Sequence, residues 1–155
     1  MMEAAVTIPP FERFYAEHRD EVYGVLVRRL GRQRAEDAFQ ETFLRALRAY
    51  TSLRHGDYLR AWVLTIARNV AVDAFRRERP TVELEEQAEL PRRPAYAELE
   101  HLTDALPPTE RAAVVLRYAY DMPYAAIGAA LGSSEDAARQ AASAGVRRLR
   151  RKETT

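Results

Sequence analysis

The stretch LRAWVLTIARNVAVDAFRRER, residues 59–79, decides the fold of this 155-residue chain. Apolar side chains recur along it every three or four residues, which is the spacing of one face of an α-helix. These side chains are Leu59, Trp62, Val63, Ile66, Ala67, Val70 and Ala74. We predict that the helix ends near Arg79, because Pro80 disfavours helical geometry in the residue before it.

Two more helices are predicted ahead of this one. The first begins at Phe11 and ends at Gly31. The second covers residues 35–50, AEDAFQETFLRALRAY, and its core stripe is Ala35, Ala38, Phe39, Thr42, Phe43, Ala46, Leu47 and Tyr50. Three such stripes can close one small helical core, so we expect a first domain over residues 11–79.

The second half of the chain is again helical after an interruption. Residues 80–95 are rich in glutamate and proline, lack an apolar period, and are typical of a flexible acidic linker. Residues 96–152 begin with an apolar stripe formed by Tyr96, Leu99, Leu102 and Leu106, and Pro107 and Pro108 open the next helix. A short helix follows and ends at a break at Gly132. A longer helix comes after it, capped by Ser133 or Ser134. Short helix, glycine turn and longer helix form the helix-turn-helix layout. We therefore expect an all-α protein of two small domains.

Composition excludes several functions. Cysteine is absent and the three histidines are far apart, so neither a disulfide nor a metal site is expected. No nucleophile or phosphate-binding loop predicts an enzyme or a cofactor. No apolar run approaches the roughly 20 residues of a membrane span, so we expect a cytoplasmic protein without membrane insertion.

One face of the second helix stands out. Asp37, Gln40, Glu41, Leu44 and Arg48 share a stripe opposite the core stripe. Charged residues there are typical of a solvated surface, but Leu44 is an apolar residue among them. A mixed acidic and apolar face suits docking on a protein partner, and both interpretations stay open from the residues alone.

Residue types that suit nucleic-acid contacts gather in two other places. In the first, arginines can contact phosphates and aromatic rings can stack on unpaired bases. In the second, arginine and glutamine can read guanine and adenine edges in the major groove. The first cluster is Arg54, His55, Tyr58, Arg60, Arg68, Asn69, Asp73, Arg76 and Arg77, with Trp62 assigned to the core. The second is a face of the last helix formed by Asp136, Arg139, Gln140, Ser143 and Arg147.

At this point three stretches resemble a known family. Residues 35–50 resemble region 2.1–2.2 of the extracytoplasmic-function (ECF) sigma factors of bacterial RNA polymerase, and residues 59–79 resemble region 2.3–2.4. Residues 106–132, LPPTERAAVVLRYAYDMPYAAIGAALG, resemble region 4. The resemblance implies that the first domain binds the clamp helices of the β′ subunit and melts the promoter −10 element. The second would bind the β flap and read the −35 element.

The resemblance also implies site residues. Asp37, Gln40, Glu41, Phe43 and Leu44 match the polymerase-binding stretch, and Arg68, Asn69, Asp73, Arg76 and Arg77 match the −10 side. The last helix departs from the family, because several expected basic or hydroxyl residues are missing. Gly145 would weaken that helix by up to ~1 kcal/mol.

Two alternatives remain beside a sigma factor that recruits core RNA polymerase to promoter DNA. One is a helix-turn-helix regulator that acts without polymerase. The other is a sigma-like protein that binds polymerase but has lost promoter reading. The sequence does not decide whether an anti-sigma factor is a further partner.

Overall fold

A computed structural model describes residues 7–78 and 103–154, which contain six α-helices. The linker over residues 80–95 and the predicted turn of helix at Tyr96, Leu99 and Leu102 lie outside these ranges. The helices are α1 (Phe11–Leu30), α2 (Arg32–Tyr50), α3 (Leu59–Glu78), α4 (Pro108–Tyr118), α5 (Tyr124–Leu131) and α6 (Glu135–Thr154).

Helices α1 to α3 form a bundle around a cluster of aromatic rings. Phe14 is fully buried, with its ring centroid 5.8 Å from that of Trp62 and 5.1 Å from that of Tyr50. Trp62 is itself 0 % exposed, which confirms its assignment to the core. Such tilted and edge-on pairs stabilise a core beyond the area that they bury.

Helices α5 and α6 form the predicted helix-turn-helix, and α4 precedes it. Pro108 is the first residue of α4, where its missing N–H removes no helical hydrogen bond. Gly132 ends α5 with a left-handed φ of 67°, which suits glycine. The backbone N–H of Ala137 donates to Ser134 Oγ at 3.0 Å, so Ser134 caps α6 as one of the two predicted candidates.

One sequence expectation is wrong and another is incomplete. Leu47, predicted in the core stripe of α2, is 49 % exposed, because it lies on the same exposed side of α2 as Leu44. Gly145 was expected only to weaken α6, but it also has a role in packing. A Cβ at this position would lie 2.7 Å from Val114 Cγ2, so the missing side chain lets α6 approach α4.

The two halves of the chain also pack against each other. Helix α2 contacts α5, and α3 contacts both α4 and α5. Buried side chains from both halves form one continuous cluster. The prediction of two domains joined by a flexible linker did not include this packing. It depends on contacts between residues that are far apart in the sequence.

Candidate polymerase and promoter interface

The outer face of α2 carries the predicted polymerase-binding residues. Leu44 is 46 % exposed although it is apolar, and Asp37 and Gln40 are exposed beside it. Phe43 is the exception, because it is only 6 % exposed and packs its ring 5.0 Å from that of Phe39. Phe43 therefore supports this face from beneath and is not part of its surface.

Arg45 is a functional candidate that the sequence analysis missed. Its side chain is 6 % exposed and lies between α2 and α3. Its Nε–H donates to Glu41 Oε2 at 2.7 Å, and its Nη1 donates to Asn69 Oδ1 at 3.3 Å and to Asp73 Oδ2 at 3.4 Å. A buried guanidinium requires such partners. Arg45 thus connects the predicted polymerase face, through Glu41, with the predicted −10 side, through Asn69 and Asp73.

Asn69 is less accessible than a base-reading residue was expected to be. It is 2 % exposed, and its Nδ2 has no hydrogen-bond partner among the described residues. Arginine only donates, so the contact with Arg45 identifies the atom facing it as the amide oxygen. The amide N–H₂ is therefore the unused part of this side chain.

The loop before α3 carries three residues of the predicted −10 side, Arg54, His55 and Tyr58, and the first turn of α3 carries a fourth, Arg60. Arg54 and Tyr58 are exposed, and the backbone N–H of Asp57 donates to His55 Nδ1 at 3.3 Å. Arg60 makes a two-pronged contact with Glu21 of α1, one bond of which is 2.6 Å long. Arg60 is thus held within the protein, and Glu21 is a partner that the sequence analysis did not identify.

The end of α3 presents the remaining positive charge of this side. Arg76 and Arg77 are both exposed, while Arg68 and Asp73 are half-buried. Arg76, Arg77, Asp37, Glu41 and Arg45 all line one open cleft of about 800 Å³. The predicted polymerase face and the predicted DNA side therefore meet at this cleft.

The outer face of α6 holds the five residues predicted to read the −35 element. Asp136, Arg139, Gln140, Ser143 and Arg147 are all exposed. Arg139 is paired within its own helix, at 2.8 Å from Asp136 and 3.6 Å from Glu135. Its guanidinium also lies 5.2 Å from the ring centre of Tyr124. Exposed pairs of this kind are weak, so they orient Arg139 without fixing it.

Across the described ranges, none of the helices combines the length and apolarity that crossing a bilayer requires. The candidate interface is formed by the outer face of α2, the loop before α3, helix α3 and the outer face of α6.

Comparison with known proteins identifies both halves of the chain. The family model for sigma-70 region 2 matches residues 14–81, and that for sigma-70 region 4 matches residues 96–149. The chain is 36 % identical over 152 residues to the RNA polymerase sigma factor CarQ of Myxococcus xanthus, covering 90 % of this chain and 87 % of CarQ. It is 33 % identical over 156 residues to the ECF RNA polymerase sigma factor BldN of Streptomyces coelicolor, covering 91 % of this chain and 59 % of BldN.

The structure of the sigma factor RpoE in complex with the anti-sigma factor NepR, from Bartonella quintana, is also similar. It has 21 % sequence identity, a TM-score of 0.43, and coverage of 91 % of this chain and 94 % of RpoE. The two family models match the two halves of the chain in the family order. The chain belongs to the ECF RNA polymerase sigma factors.

Proposed function

We propose that this protein binds core RNA polymerase and directs it to specific promoters. The observation that carries the proposal is the face of α2, where Leu44 is 46 % exposed beside the acidic residues Asp37 and Glu41. The opposite side of α2 is committed to the core. An exposed apolar residue with a charged rim suits a protein interface.

The two halves divide the work in this proposal. Helix α2 binds the clamp helices of the β′ subunit, and the second half binds the β flap. The loop over residues 54–58 and helix α3 bind and melt the −10 element, while α6 contacts the −35 element. The protein itself is not an enzyme in this proposal. It stabilises melted DNA, which offsets a few kcal/mol of lost base stacking.

The cytoplasm, where polymerase and promoters are found, is the proposed location. An anti-sigma factor is a further proposed partner, and the residues of this chain do not specify it. An exposed α2 face would serve polymerase and an inhibitor equally well.

Replacing Leu44 tests the polymerase interface. We expect Leu44→Arg to weaken binding to core polymerase at least tenfold, because apolar anchors in an interface contribute about 2 kcal/mol or more. Leu44 is a cleaner site than Glu41, whose pair with buried Arg45 would also be broken. The control is Tyr23→Arg, which places the same charge on a 36 % exposed side chain of α1.

Titration of labelled protein with core polymerase measures the affinity, and transcription in vitro measures promoter use. Equal affinities for wild type and Leu44→Arg would remove the assignment of this face. Tight sequence-specific binding to duplex DNA without polymerase would instead favour the independent regulator. Binding to polymerase without promoter-directed transcription would favour the protein that has lost promoter reading.

A further inference from the structure

The ring of Tyr124 lies where the three helices of the second half meet. Tyr124 is the first residue of α5, and its side chain is half-buried. The guanidinium carbon of Arg117, on α4, lies 4.5 Å from the ring centre, and that of Arg139, on α6, lies 5.2 Å from it. Both distances fall within the roughly 6 Å that a cation–π contact allows. One ring therefore contacts arginines from two different helices.

Arg117 is the anchored member of this group. Its side chain is half-buried, and its Nη1 donates to the backbone oxygen of Met122, in the turn between α4 and α5, at 3.0 Å. The Met122 N–H in turn donates to the Leu116 oxygen at 3.2 Å. Arg117 therefore connects the Tyr124 ring with the backbone of this turn.

The ring of Tyr124 is also supported by its own helix. The side chain packs against the buried apolar cluster. Pro123 precedes it in an extended conformation, and the N–H of Ile127 donates to the Pro123 oxygen at 3.0 Å, so Tyr124 lies in a hydrogen-bonded first turn. The position of the ring is thus determined by the core, by α5 and by Arg117.

Arg139 is the exposed member of the group. Its Nη1 lies 2.8 Å from Asp136 Oδ1, and its Nη2 lies 3.6 Å from Glu135 Oε1. The carboxylates interact with the N–H groups at the edge of the guanidinium. Attraction to the face of an aromatic ring, in contrast, uses none of these N–H donors. The two kinds of contact therefore leave Arg139 in different states for binding a ligand.

The N–H edge of an arginine is the part that recognises guanine. It can donate two parallel hydrogen bonds to the O6 and N7 atoms in the major groove. Asp136 and Glu135 compete with a base for this edge, but both are exposed and such pairs are weak. Arg139 can thus exchange its carboxylate partners for a guanine while it stays over the ring of Tyr124.

We infer that Tyr124 is a positioning residue for reading of the −35 element, because it holds Arg139 over its ring while the N–H edge of that arginine binds a guanine. This inference rests on the proposed function, in which α6 contacts the −35 element. An arginine side chain loses rotamer freedom when it is ordered. The ring lowers that cost, since Arg139 is already oriented before DNA binds.

The contribution of Tyr124 is to specificity more than to general affinity. A phosphate attracts a positive charge from many directions, whereas the two acceptors of guanine require the planar fork of the arginine in one orientation. Removing the ring leaves the charge of Arg139 in place and removes only its orientation. The preference for guanine at one position therefore falls, while attraction to the DNA backbone remains.

A library of templates tests the inference. The −35 region is randomised in a promoter that the wild-type holoenzyme uses, and a barcode in each transcript identifies its template. The frequency of each base among the transcribed templates gives the preference at every position. Tyr124→Leu removes the ring and keeps an apolar side chain, and Tyr124→Phe keeps the ring. The control is Tyr118→Leu, which removes a 60 % exposed tyrosine of α4.

We expect Tyr124→Leu to lower the preference for guanine about threefold, which is the effect of an exposed cation–π contact. The loss should occur at the one position where Arg139→Ala also lowers the preference. Tyr124→Phe and Tyr118→Leu should both keep the wild-type preference. Rescue by phenylalanine would show that the ring, and not the hydroxyl group, is the part that acts.

Combining Tyr124→Leu with Arg139→Ala separates positioning from support of the fold. If the ring acts through Arg139, the double variant has the same base preferences as Arg139→Ala alone. A tyrosine that only stabilises the helices would lower transcription in both backgrounds and at no particular base position. Circular dichroism shows whether each variant keeps its helices.

An unchanged guanine preference in Tyr124→Leu would overturn the inference, as would an equal loss in Tyr124→Phe or a further loss of preference in the double variant. A wild-type holoenzyme with no guanine preference that depends on Arg139 would also overturn it and leave polymerase binding intact. Absence of promoter-directed transcription by the wild type would instead contradict the proposed function. If Tyr124→Leu loses its helices, Arg117→Met replaces it. A smaller loss at the same position is then expected, and an unchanged preference overturns the inference.

Discussion

The surface predicted to read the −10 element and the one predicted to read the −35 element are restrained in different ways. Asn69 and Asp73 on α3 are bonded to Arg45, a buried residue of a different helix. Arg139 on α6 pairs with exposed carboxylates of its own helix and lies over the ring of Tyr124. Separating a buried charge from its partners costs a large amount of free energy, whereas the partners of an exposed ion pair are readily replaced by water. The first surface is therefore preorganised and the second is adaptable.

Removing the buried arginine should give the largest effect. We expect Arg45→Met to lower the free energy of unfolding by about 2 kcal/mol, because buried Asn69 loses its hydrogen-bond donor. Denaturant unfolding measures the change. Arg48→Met is the control, since Arg48 is an exposed arginine one turn further along α2. Similar losses for both variants would show that the network does not distinguish the two surfaces.

The −10 surface should determine promoter choice. We expect Asn69→Ala to reduce the discrimination between intact and scrambled −10 elements about tenfold in holoenzyme, which is the effect of losing one base-edge contact. Transcription in vitro from matched templates measures it. Unchanged discrimination would mean that Asn69, at 2 % exposure, stays buried in the open complex and acts only through Arg45.

The packing of α6 can be tested at its glycine. We expect Gly145→Ala to lower the free energy of unfolding by about 1 kcal/mol, because the new methyl group lies 2.7 Å from Val114 Cγ2 and overpacking costs about 1–3 kcal/mol. Helix propensity offsets only part of this cost, by up to about 1 kcal/mol. The control is Ser143→Ala on the exposed face of α6, which should be neutral or slightly stabilising. A stabilised Gly145→Ala protein would show that α6 can move away from α4.

The smallest effect is expected on the −35 surface. We expect Arg139→Ala to weaken holoenzyme binding to the promoter by less than about 1 kcal/mol, because DNA must compete with Asp136 and Glu135 for its guanidinium. Competition binding with templates that carry a scrambled −35 element measures it. If scrambling −35 abolishes transcription while −10 changes are tolerated, the order of the two surfaces is reversed.

The helices and the helix-turn-helix could be predicted because their signals are local. Apolar spacing, Pro108, Gly132 and the Ser134 cap each act within a few residues. The sequence also contains a signal for the role of Arg45 that the prediction did not use. Arg45 falls on the buried side of α2, near Thr42 and Ala46. A charged residue at such a position indicates buried partners.

The contact between the halves could not be predicted in this way. Trp62 and Met122 are 60 residues apart, and each fits the core of its own half equally well. The packing role of Gly145 could not be predicted either, because only the position of Val114 on α4 shows that a methyl group would not fit. Both features depend on the distance between helices, which apolar spacing does not encode.

Gly132 has a consequence for chimaeric sigma factors. A chimaera that joins residues 1–95 of this chain to the second domain of a relative keeps Arg45 but receives the relative's residue at the α5–α6 turn. Any side chain there would meet the Arg45 guanidinium at 2.7 Å. We expect such a chimaera to displace the Arg45 guanidinium and so to weaken the contact between its halves in the unbound subunit. Second domains can therefore be interchangeable in the assembled enzyme and still differ in how they pack against the first domain in the unbound subunit.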